Sequence, residues 1–330
     1  MSLTTYKPKV SIVMSFHKEP LQWIRFAVES MLSQTFRDFE FIIVCDNPEH
    51  AEGIAYIKRQ EDKRIRLMIN DGNLGPTKSF NIAIAASSGQ YIARMDADDI
   101  SLPERLGKQV EYMDSHPETS VCATDVHIID EKGKIKRRNR YRRKHDPSLL
   151  LISNTIAHPS VMFRRSLLEL RNPIYNEEFI HTQDYELWLF LYLKGHRLHT
   201  LDQSLLLYRK SRKQISNARE SKQTSLFKRA HREFIINRLR EYAPPDSEVS
   251  CDLKDLLDKA RQAYAESERE DKKDLTYIIY VLYFSLGTDD WTYRLRYLAD
   301  RNLIALRVRF IFTWRLLFSK KSRRNRVSLG

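Results

Sequence analysis

Hydrophobic positions follow two alternating periods over the first two hundred residues of this 330-residue chain. Continuous apolar runs, typical of buried strands, are each followed by a segment whose apolar residues recur every three or four positions, which is typical of a helix. The predicted strands are residues 9–15, 39–45, 65–69, 90–96 and 120–129, and the predicted helices are residues 21–34, 50–60, 77–87 and 102–115. This alternation predicts an α/β fold with a mostly parallel sheet flanked by helices.

The first predicted helix carries its apolar residues on one side. Between residues 21 and 34, Trp23, Phe26, Ala27, Ser30 and Met31 recur at helical spacing. We expect this side to pack on the sheet.

The pattern changes after about residue 225. Helical periods continue without strand-like runs and are interrupted by Pro244 and Pro245, and the chain finishes in a basic segment with several aromatic residues. We therefore predict two domains: an α/β domain over residues 1–225 and a helical region over residues 226–330.

Composition excludes several classes of protein. With 42% hydrophobic residues, 9 Gly and 11 Pro, the chain is neither disordered throughout nor collagen-like. It contains no uncharged apolar run of about 18 residues, the length needed to span a bilayer, and its first residues lack the apolar core of a signal peptide. We expect a cytoplasmic protein.

The net charge of +13 is concentrated in two segments. Residues 132–144 and 301–330 each contain nine Lys and Arg and no acid, which leaves a charge of −5 on the rest of the chain. Two basic patches on an acidic body favour an anionic membrane surface over nucleic acid as partner, and predict peripheral attachment to the inner face of the plasma membrane. The alternatives are a solvated hairpin or loop for the first segment and a packed helix with a disordered basic end for the second.

The three cysteines, Cys45, Cys122 and Cys251, lie far apart and form no C-x-x-C pair. This spacing argues against a zinc knuckle and against a disulfide framework. We expect all three to be small buried side chains.

Polar residues follow the ends of the first four predicted strands. Carboxyl ends of neighbouring parallel strands lie at one edge of a sheet, where α/β proteins bind their ligands. The residues at these ends are Ser15, His17, Asp46, Asn73, Gly75, Asp96, Asp98 and Asp99. The sequence therefore predicts one crevice lined by four loops.

The segment MDADDISLPER (95–105) is the sharpest of these signals. Asp96 and Asp98 alternate at a strand end, so their oxygens can converge, and carboxylate oxygens suit Mg²⁺ or Mn²⁺. The alternative is a solvated acidic turn in which Asp99 or Ser101 caps the next helix.

Two further strand ends indicate contacts with a base or ribose and with an anionic ligand. Asp46 is placed to accept hydrogen bonds from a base or a ribose, although Asp-Asn-Pro is also a common turn. The loop after the third strand contains Gly72 and Gly75, which allow close backbone approach, and leads into a helix with Lys78 one turn in. Helix N-termini favour anions, and a simple loop is the alternative.

Together these segments resemble the family 2 glycosyltransferases, which have the GT-A fold and use nucleotide-diphosphate sugars. The resemblance rests on SIVMSFHKE (11–19), FIIVCDN (41–47) and GNLGPTKSFNIAIAASSGQYIARMDADDISLPERL (72–106). It continues in AHPSVMFRRSLL (157–168), TQDYELWLFL (182–191) and LLLYRKSRKQIS (205–216), the last being similar to the family's closing loop. These segments extend over about two thirds of the chain, in order and at the expected spacing.

The resemblance implies a role for the strand-end residues. The implied positions are Ser15 and Asp46 at the nucleotide base, Asp96 at the ribose or in the metal shell, Asp98 as metal ligand, and Asn73 and Lys78 in the loop against the nucleotide. It also implies Mn²⁺ or Mg²⁺ as cofactor and favours UDP as the nucleotide.

By the same resemblance, Asp184 aligns with the catalytic base. It opens a helix in which Leu187, Trp188 and Leu191 recur at helical spacing, and these residues would hold the carboxylate rigidly. From the residues alone, an aspartate stabilised by the helix dipole is the alternative. His158 resembles a family histidine near the sugar diphosphate, and a packed, hydrogen-bonded histidine is an equal alternative.

Three positions depart from the family pattern. Gln183 replaces the common Glu before the base, which removes one like charge, and His17 stands where Asn is frequent. Ser211 stands where many relatives have a His that approaches the diphosphate. Either the closing loop works differently or a nearby cation takes this role, the candidates being Arg209, Arg212 and Lys213.

The sequence thus predicts a metal-dependent, inverting glycosyltransferase that adds a hexose to a glycan or lipid-linked glycan in polysaccharide or lipopolysaccharide biosynthesis. Two alternatives remain: a non-catalytic nucleotide-sugar or membrane-binding protein on the same fold, and a nucleic-acid-binding protein with steeply salt-dependent affinity. The intact Asp96, Asp98 and Asp184 disfavour the first of these, although a fold alone does not prove a function.

Overall fold

The computed structural model describes residues 7–141, 150, 154–211, 220–241 and 252–266, and four single positions at 275, 278, 279 and 282. The chain divides into two compact units. The first comprises residues 1–145, 155–187 and 195–218, and the second comprises residues 146–154, 188–194 and 219–330. The predicted domain boundary at residue 225 stays a prediction.

The described residues contain one nine-stranded mixed sheet, with the order β3-β2-β1-β4-β8-β6-β9-β5 and with β7 paired to β6. The strands are β1 Val10–Phe16, β2 Phe39–Cys45, β3 Ile65–Ile69, β4 Tyr91–Asp96, β5 Ile100–Ser101, β6 Thr119–Ile129, β7 Ile135–Asn139, β8 Met162–Arg164 and β9 Arg197–Arg209. The helices are α1 Leu21–Leu32, α2 Ala51–Lys58, α3 Pro76–Ala85, α4 Arg105–Ser115, α5 Leu167–Leu170, α6 Gln183–Leu193, α7 Glu220–Arg240 and α8 Leu253–Glu266.

The predicted parallel arrangement is confirmed for the first four strands. β1 lies between β2 and β4 and is parallel to both, and β2 is parallel to β3. The apolar side chains of β1 are fully buried, as expected for a strand covered on both faces. In the register, Ser15 lies opposite Asp96. The carboxyl ends of β1, β2 and β4 therefore meet at one edge.

The other half of the sheet contains antiparallel pairs that the sequence did not predict. β8 is antiparallel to both β4 and β6, and β5 is antiparallel to β9. β5 and β8 have only two and three residues, too few to show a period. Residues 205–209, expected to begin the closing loop, instead complete the long strand β9, and residues 212–216 of that loop lie outside the described residues.

The buried side of α1 differs from the predicted one. Ile24, Ala27, Val28 and Met31 are fully buried, whereas Phe26 is 40% exposed. The predicted and observed sides share Ala27, Ser30 and Met31, so helical spacing alone could not decide between them.

Part of the first basic segment forms the expected hairpin. β7 runs antiparallel to β6, and the tight turn between them is closed by a hydrogen bond from the Gly133 N–H to the Asp130 carbonyl. The Lys136 ammonium lies 2.7 Å from the Asp130 carboxylate, and this contact together with hydrogen bonds from the backbone N–H groups of Lys134 and Lys132 lowers the pKa of Asp130 to about 2. Residues 142–144 and the basic tail 301–330 lie outside the described residues.

Three other expectations can be compared with the structure. Cys45 and Cys122 are buried free thiols, as expected, and Cys251 is outside the described residues. In the second unit, α7 and α8 pack on one another, in agreement with the helical pattern after residue 225. Across the described parts of the chain, no helix has the length and apolar character needed to cross a membrane.

Gly89 gives a test of the junction between α3 and β4. A Cβ atom at this position would lie 2.6 Å from the backbone nitrogen of Ser11, which cannot move without displacing β1. We expect Gly89→Ala to lower the free energy of unfolding by about 1–3 kcal/mol through overpacking, measured by urea denaturation. Gly72→Ala is the matched control, because an added Cβ there meets no atom within 4 Å. Equal stability of the two variants would contradict this account.

Candidate active site

Three carboxylates converge where β4 ends. Asp96 is the last residue of β4, and Asp98 and Asp99 belong to the short connection to β5. One oxygen from each of the three carboxylates lies within 4.8 Å of the others. The structure therefore brings together Asp96 and Asp98, as predicted, and adds Asp99.

Asp99 is fully buried and does not cap a helix. Its Oδ1 accepts a hydrogen bond of 2.7 Å from the backbone N–H of Arg209. Burial, together with the neighbouring charges of Asp98 and Asp96, raises the pKa of Asp99 well above its usual value. The capping alternative is wrong, because α4 begins at Arg105 and is preceded by Glu104.

Arg209, at the end of β9, forms hydrogen bonds to the acidic loop (residues 97–99, between β4 and β5) and to the turn between β6 and β7. Its Nε donates to the Asp98 carbonyl at 2.7 Å, and its Nη1 donates to the carbonyls of Asp130 and Glu131 at 3.0 and 3.1 Å. The side chain is buried, and the guanidinium lies over the Trp23 ring. The predicted contact of Arg209 with a diphosphate stays a prediction, and these bonds show that its guanidinium is engaged by backbone oxygens.

Arg94 is a site residue that the sequence analysis missed. Its guanidinium pairs with Asp96 at 2.8 Å and lies 4.2 Å from the centre of the Phe80 ring. The side chain is only 7% exposed. A charged residue inside the apolar run YIARMD was the available signal, since a buried arginine in a strand needs a partner.

Asp46 organises the loop between β3 and α3. Its carboxylate accepts hydrogen bonds from the side-chain amide of Asn70 at 2.7 Å and from the backbone N–H groups of Leu74 and Gly75 at 2.9 Å each. Gly75 has a φ of 87°, a conformation that glycine adopts without strain. The predicted contact of Asp46 with a base stays a prediction, and three of its acceptor positions are used by the loop.

The other predicted nucleotide contacts lie around this loop. His17 bonds the Asp46 carbonyl through Nδ1 at 3.0 Å and the Asn73 amide through Nε2 at 3.3 Å. Lys78 is exposed on the first turn of α3, 3.7 Å from Glu177. Ser15 is partly buried beside Asp96. The structure therefore gathers Ser15, Asn73 and the acidic cluster along one sheet edge.

Asp184 lies in the first turn of α6, next to His158. The Nδ1 atom of His158 is 3.9 Å from an Asp184 carboxylate oxygen, and its Nε2 is 2.8 Å from the Tyr175 hydroxyl. Burial, and to a smaller degree the charge of Arg94, holds the pKa of His158 well below its usual value. A neutral imidazole therefore stands beside the predicted base. Ser211 is largely buried, and Arg212 and Lys213 lie outside the described residues.

The donor set at the end of β4 fits a hard divalent cation. All three groups offer carboxylate oxygens, which Mg²⁺ and Mn²⁺ prefer. Among the described residues, the Oδ2 atom of Asp99 is buried and has no hydrogen-bond partner. Burial of an unsatisfied carboxylate oxygen costs free energy, and a bound cation would offset that cost.

The fold and the site define a class of protein. Parallel strands that end in a crevice lined by acids, amides and a helix N-terminus form the ligand-binding arrangement of nucleotide-binding α/β proteins. Residues 11–171 match the family model described as glycosyl transferase family 2. The chain belongs to this family.

Two relatives illustrate the match. An uncharacterized glycosyltransferase of Methanocaldococcus jannaschii is 36% identical over 208 residues, which cover 62% of this chain and 71% of that protein. The O-antigen biosynthesis glycosyltransferase WbnJ of Escherichia coli is 30% identical over 204 residues, which cover 61% of this chain and 79% of that protein.

A solved structure supports the fold. The structure of S. aureus TarS 1-349 in complex with UDP-GlcNAc aligns with a TM-score of 0.58 at 17% identity and covers 83% of this chain and 80% of that chain. This likeness concerns the fold alone. The predicted α/β fold of the GT-A type is confirmed.

Replacement of Arg209 tests whether its hydrogen bonds stabilise the acidic loop. We expect Arg209→Met to remove three hydrogen bonds to partly buried carbonyls, those of Asp98, Asp130 and Glu131, and to destabilise the protein by about 1–3 kcal/mol, which thermal unfolding would show as a fall in midpoint of several degrees. Lys210→Met, at the exposed neighbouring position, is the control and should change the midpoint little. An Arg209→Met protein as stable as the control would show that these bonds contribute nothing.

Proposed function

We propose that the protein is an inverting glycosyltransferase that moves a sugar from a nucleotide-diphosphate donor, with UDP as the nucleotide, to a hydroxyl of a glycan or lipid-linked glycan. Membership of family 2 supports glycosyl transfer. The names of relatives support surface polysaccharides as products: besides WbnJ, the amylovoran biosynthesis glycosyltransferase AmsE of Erwinia amylovora is 28% identical over 211 residues. The UDP-GlcNAc in the TarS complex supports a nucleotide-sugar donor.

One observation carries the proposal furthest. The acidic cluster at the end of β4 and the separate carboxylate of Asp184 are linked through neighbouring backbone. The N–H of Arg94, whose side chain pairs with Asp96, donates to the Val161 carbonyl, and Val161 directly follows the turn whose His158 faces Asp184. Glycosyl transfer needs two separate carboxylate functions, one for the leaving diphosphate and one for the acceptor proton. In this proposal, the first unit would supply both.

Asp184 would act on the acceptor. Its carboxylate takes the proton of the acceptor hydroxyl while that oxygen bonds to the anomeric carbon of the donor sugar. The bond from this carbon to the diphosphate oxygen breaks on the opposite face, and the nucleoside diphosphate leaves with the bonding electrons. The transition state has oxocarbenium character, and attack from the opposite face inverts the anomeric centre.

The acidic cluster would serve the leaving group. Asp98 and Asp96, together with Asp99, would hold Mn²⁺ or Mg²⁺, which neutralises the negative charge that grows on the departing diphosphate. Arg94 pairs with Asp96 and Arg209 bonds the carbonyl of Asp98. These two arginines keep the carboxylates in place despite their mutual repulsion.

The loop between β3 and α3 would receive the nucleotide. Asn73 belongs to this loop, Ser15 lies near the carboxyl end of β1, and Lys78 lies on the first turn of α3. Asp46 fixes the backbone at Leu74 and Gly75, and a rigid, glycine-containing loop can approach an anionic ligand closely. Asp46 would thus shape the nucleotide site, in addition to the predicted contact with the base.

The basic hairpin β6–β7 would face an anionic partner. Lys134, Arg137 and Arg140 are exposed there, and among the described residues none of the three has an acidic side chain within ion-pair distance. Clustered cations of this kind attract anionic lipid surfaces. We propose on this basis that the protein attaches to the inner face of the plasma membrane, near a lipid-linked acceptor.

The donor reaction gives a direct test. We expect release of nucleoside diphosphate from one member of a panel of UDP-, dTDP- and GDP-sugars, measured with Mn²⁺ or Mg²⁺ present. Asp98→Ala and Asp184→Asn should each lower the rate by about 10²–10⁴-fold, because one removes a metal ligand and the other the base. Glu61→Ala, an exposed acid that precedes β3 and lies outside both the cluster and the loop after β3, is the control and should retain the rate. Donor binding without release, shown by a thermal shift, would favour the non-catalytic alternative.

Metal removal separates the two carboxylate functions. We expect EDTA to abolish release in the unmodified protein and added Mn²⁺ or Mg²⁺ to restore it. In the proposed reaction, only the bound divalent cation neutralises the charge on the leaving diphosphate at the cluster. The residual rate of Asp98→Ala should respond to the metal much less. Full activity in EDTA would contradict the proposed metal site but would not bear on the proposed role of Asp184 as the base.

A further inference from the structure

We propose that Asn81, Tyr175 and His158 form a buried positioning chain that sets the orientation of Asp184. This inference rests on the proposed role of Asp184 as the base. None of the three residues belongs to the acidic cluster. They connect α3, the segment before α6 and the short helical turn His158–Ser160.

The chain begins with a two-way hydrogen bond between Asn81 and the backbone of Tyr175. The Asn81 amide donates to the Tyr175 carbonyl at 2.9 Å, and its oxygen accepts from the Tyr175 N–H at 3.1 Å. Both residues are more than 90% buried. A side-chain amide that satisfies both backbone groups of one distant residue fixes that residue in position and rotation.

Tyr175 then determines the protonation pattern of His158. Its hydroxyl lies 2.8 Å from His158 Nε2, and the two rings meet edge to face at 76°. Burial raises the pKa of Tyr175, so the phenol keeps its proton and can donate it in this bond. When Nε2 accepts, the single proton of the neutral imidazole resides on Nδ1.

This tautomer is the one that suits Asp184. Nδ1 is the atom that faces the Asp184 carboxylate, at 3.9 Å. An N–H directed at a carboxylate attracts it, whereas the other tautomer would direct a lone pair at it. The distance is longer than a direct hydrogen bond, and contacts of catalytic groups commonly shorten when substrate binds. His158 therefore orients the carboxylate without adding a cation beside it.

Loss of the Tyr175 hydroxyl should act on turnover and spare donor binding. Tyr175→Phe keeps the ring and its packing but removes the donor to Nε2, so the imidazole proton is no longer restricted to Nδ1. The acidic cluster and the loop at Asp46 make no hydrogen bond to this hydroxyl among the contacts of the described residues. We expect kcat to fall about tenfold, in the range of a misplaced base, with the KM for the donor within twofold of the unmodified protein.

Tyr91→Phe is the matched control. Tyr91 is also a fully buried tyrosine with a bonded hydroxyl, which donates to Asp114 at 2.6 Å. It opens β4 at the end of the strand opposite to Asp96. Its hydroxyl should therefore matter for stability but not for kcat. Similar falls in kcat in both variants would show that Tyr175 acts only through the general packing of the protein.

A double variant tests whether Tyr175 acts through Asp184. If it does, adding Tyr175→Phe to Asp184→Asn should lower the residual rate no further, because the group being positioned is already lost. A further tenfold fall in the double variant would overturn the proposal. Full activity of Asp184→Asn alone would instead refute the proposed base, and with it the target of the chain.

The tautomer can be read without any turnover. Nitrogen-15 spectra of the imidazole should show His158 with its proton on Nδ1 in the unmodified protein and in Tyr91→Phe, with the signal assigned by its absence from His158→Gln. In Tyr175→Phe this preference should decrease. A proton on Nε2 in the unmodified protein would overturn the proposal whatever the outcome of the rate measurements.

Discussion

Mutual repulsion among three carboxylates is the constraint on which the rest of the site depends. Oxygens of Asp96, Asp98 and Asp99 lie within 4.8 Å of one another, a spacing at which like charges strongly disfavour full ionisation. The structure relieves this in three ways. Arg94 pairs with Asp96, the Arg209 N–H bonds Asp99, and burial favours the protonated form of Asp99. Both hydrogen-bonding groups, the Arg94 guanidinium and the Arg209 N–H, come from outside the acidic loop.

The half of the sheet with antiparallel pairs supplies one of these outside groups. Arg209 ends β9, and its guanidinium bonds carbonyls from both the acidic loop and the turn of the β6–β7 hairpin. β9 also pairs with β5, directly after the acidic loop. The parallel strands β1, β2 and β4 create the crevice, and β9 holds the loop in it. A change at residue 209 would therefore affect the geometry at Asp98, 111 positions away in sequence.

The sequence predicted those parts of the molecule that local spacing determines. β2 and β3 match their predicted bounds, and the acids at the strand ends meet as expected, because alternation and apolar runs are visible within a few residues. It could not predict β5 or β8, which are too short to have a period. It also missed Arg94, although its partner Asp96 is only two positions away and a charge inside an apolar run was visible. It missed Tyr175 because the contacts of this residue come from distant segments, such as the bond from Asn81 across 94 positions.

The environments of the two carboxylate functions differ in a way that suits different chemistry. Asp96 has a cation, Arg94, against it, which balances part of the negative charge of the cluster. Asp184 has the neutral His158 beside it. A proton acceptor works best without a strong cation at contact distance, because such a cation weakens a carboxylate as a base. The cation Arg94 therefore lies against the acidic cluster, whereas the imidazole that faces the proposed base is neutral because it is buried.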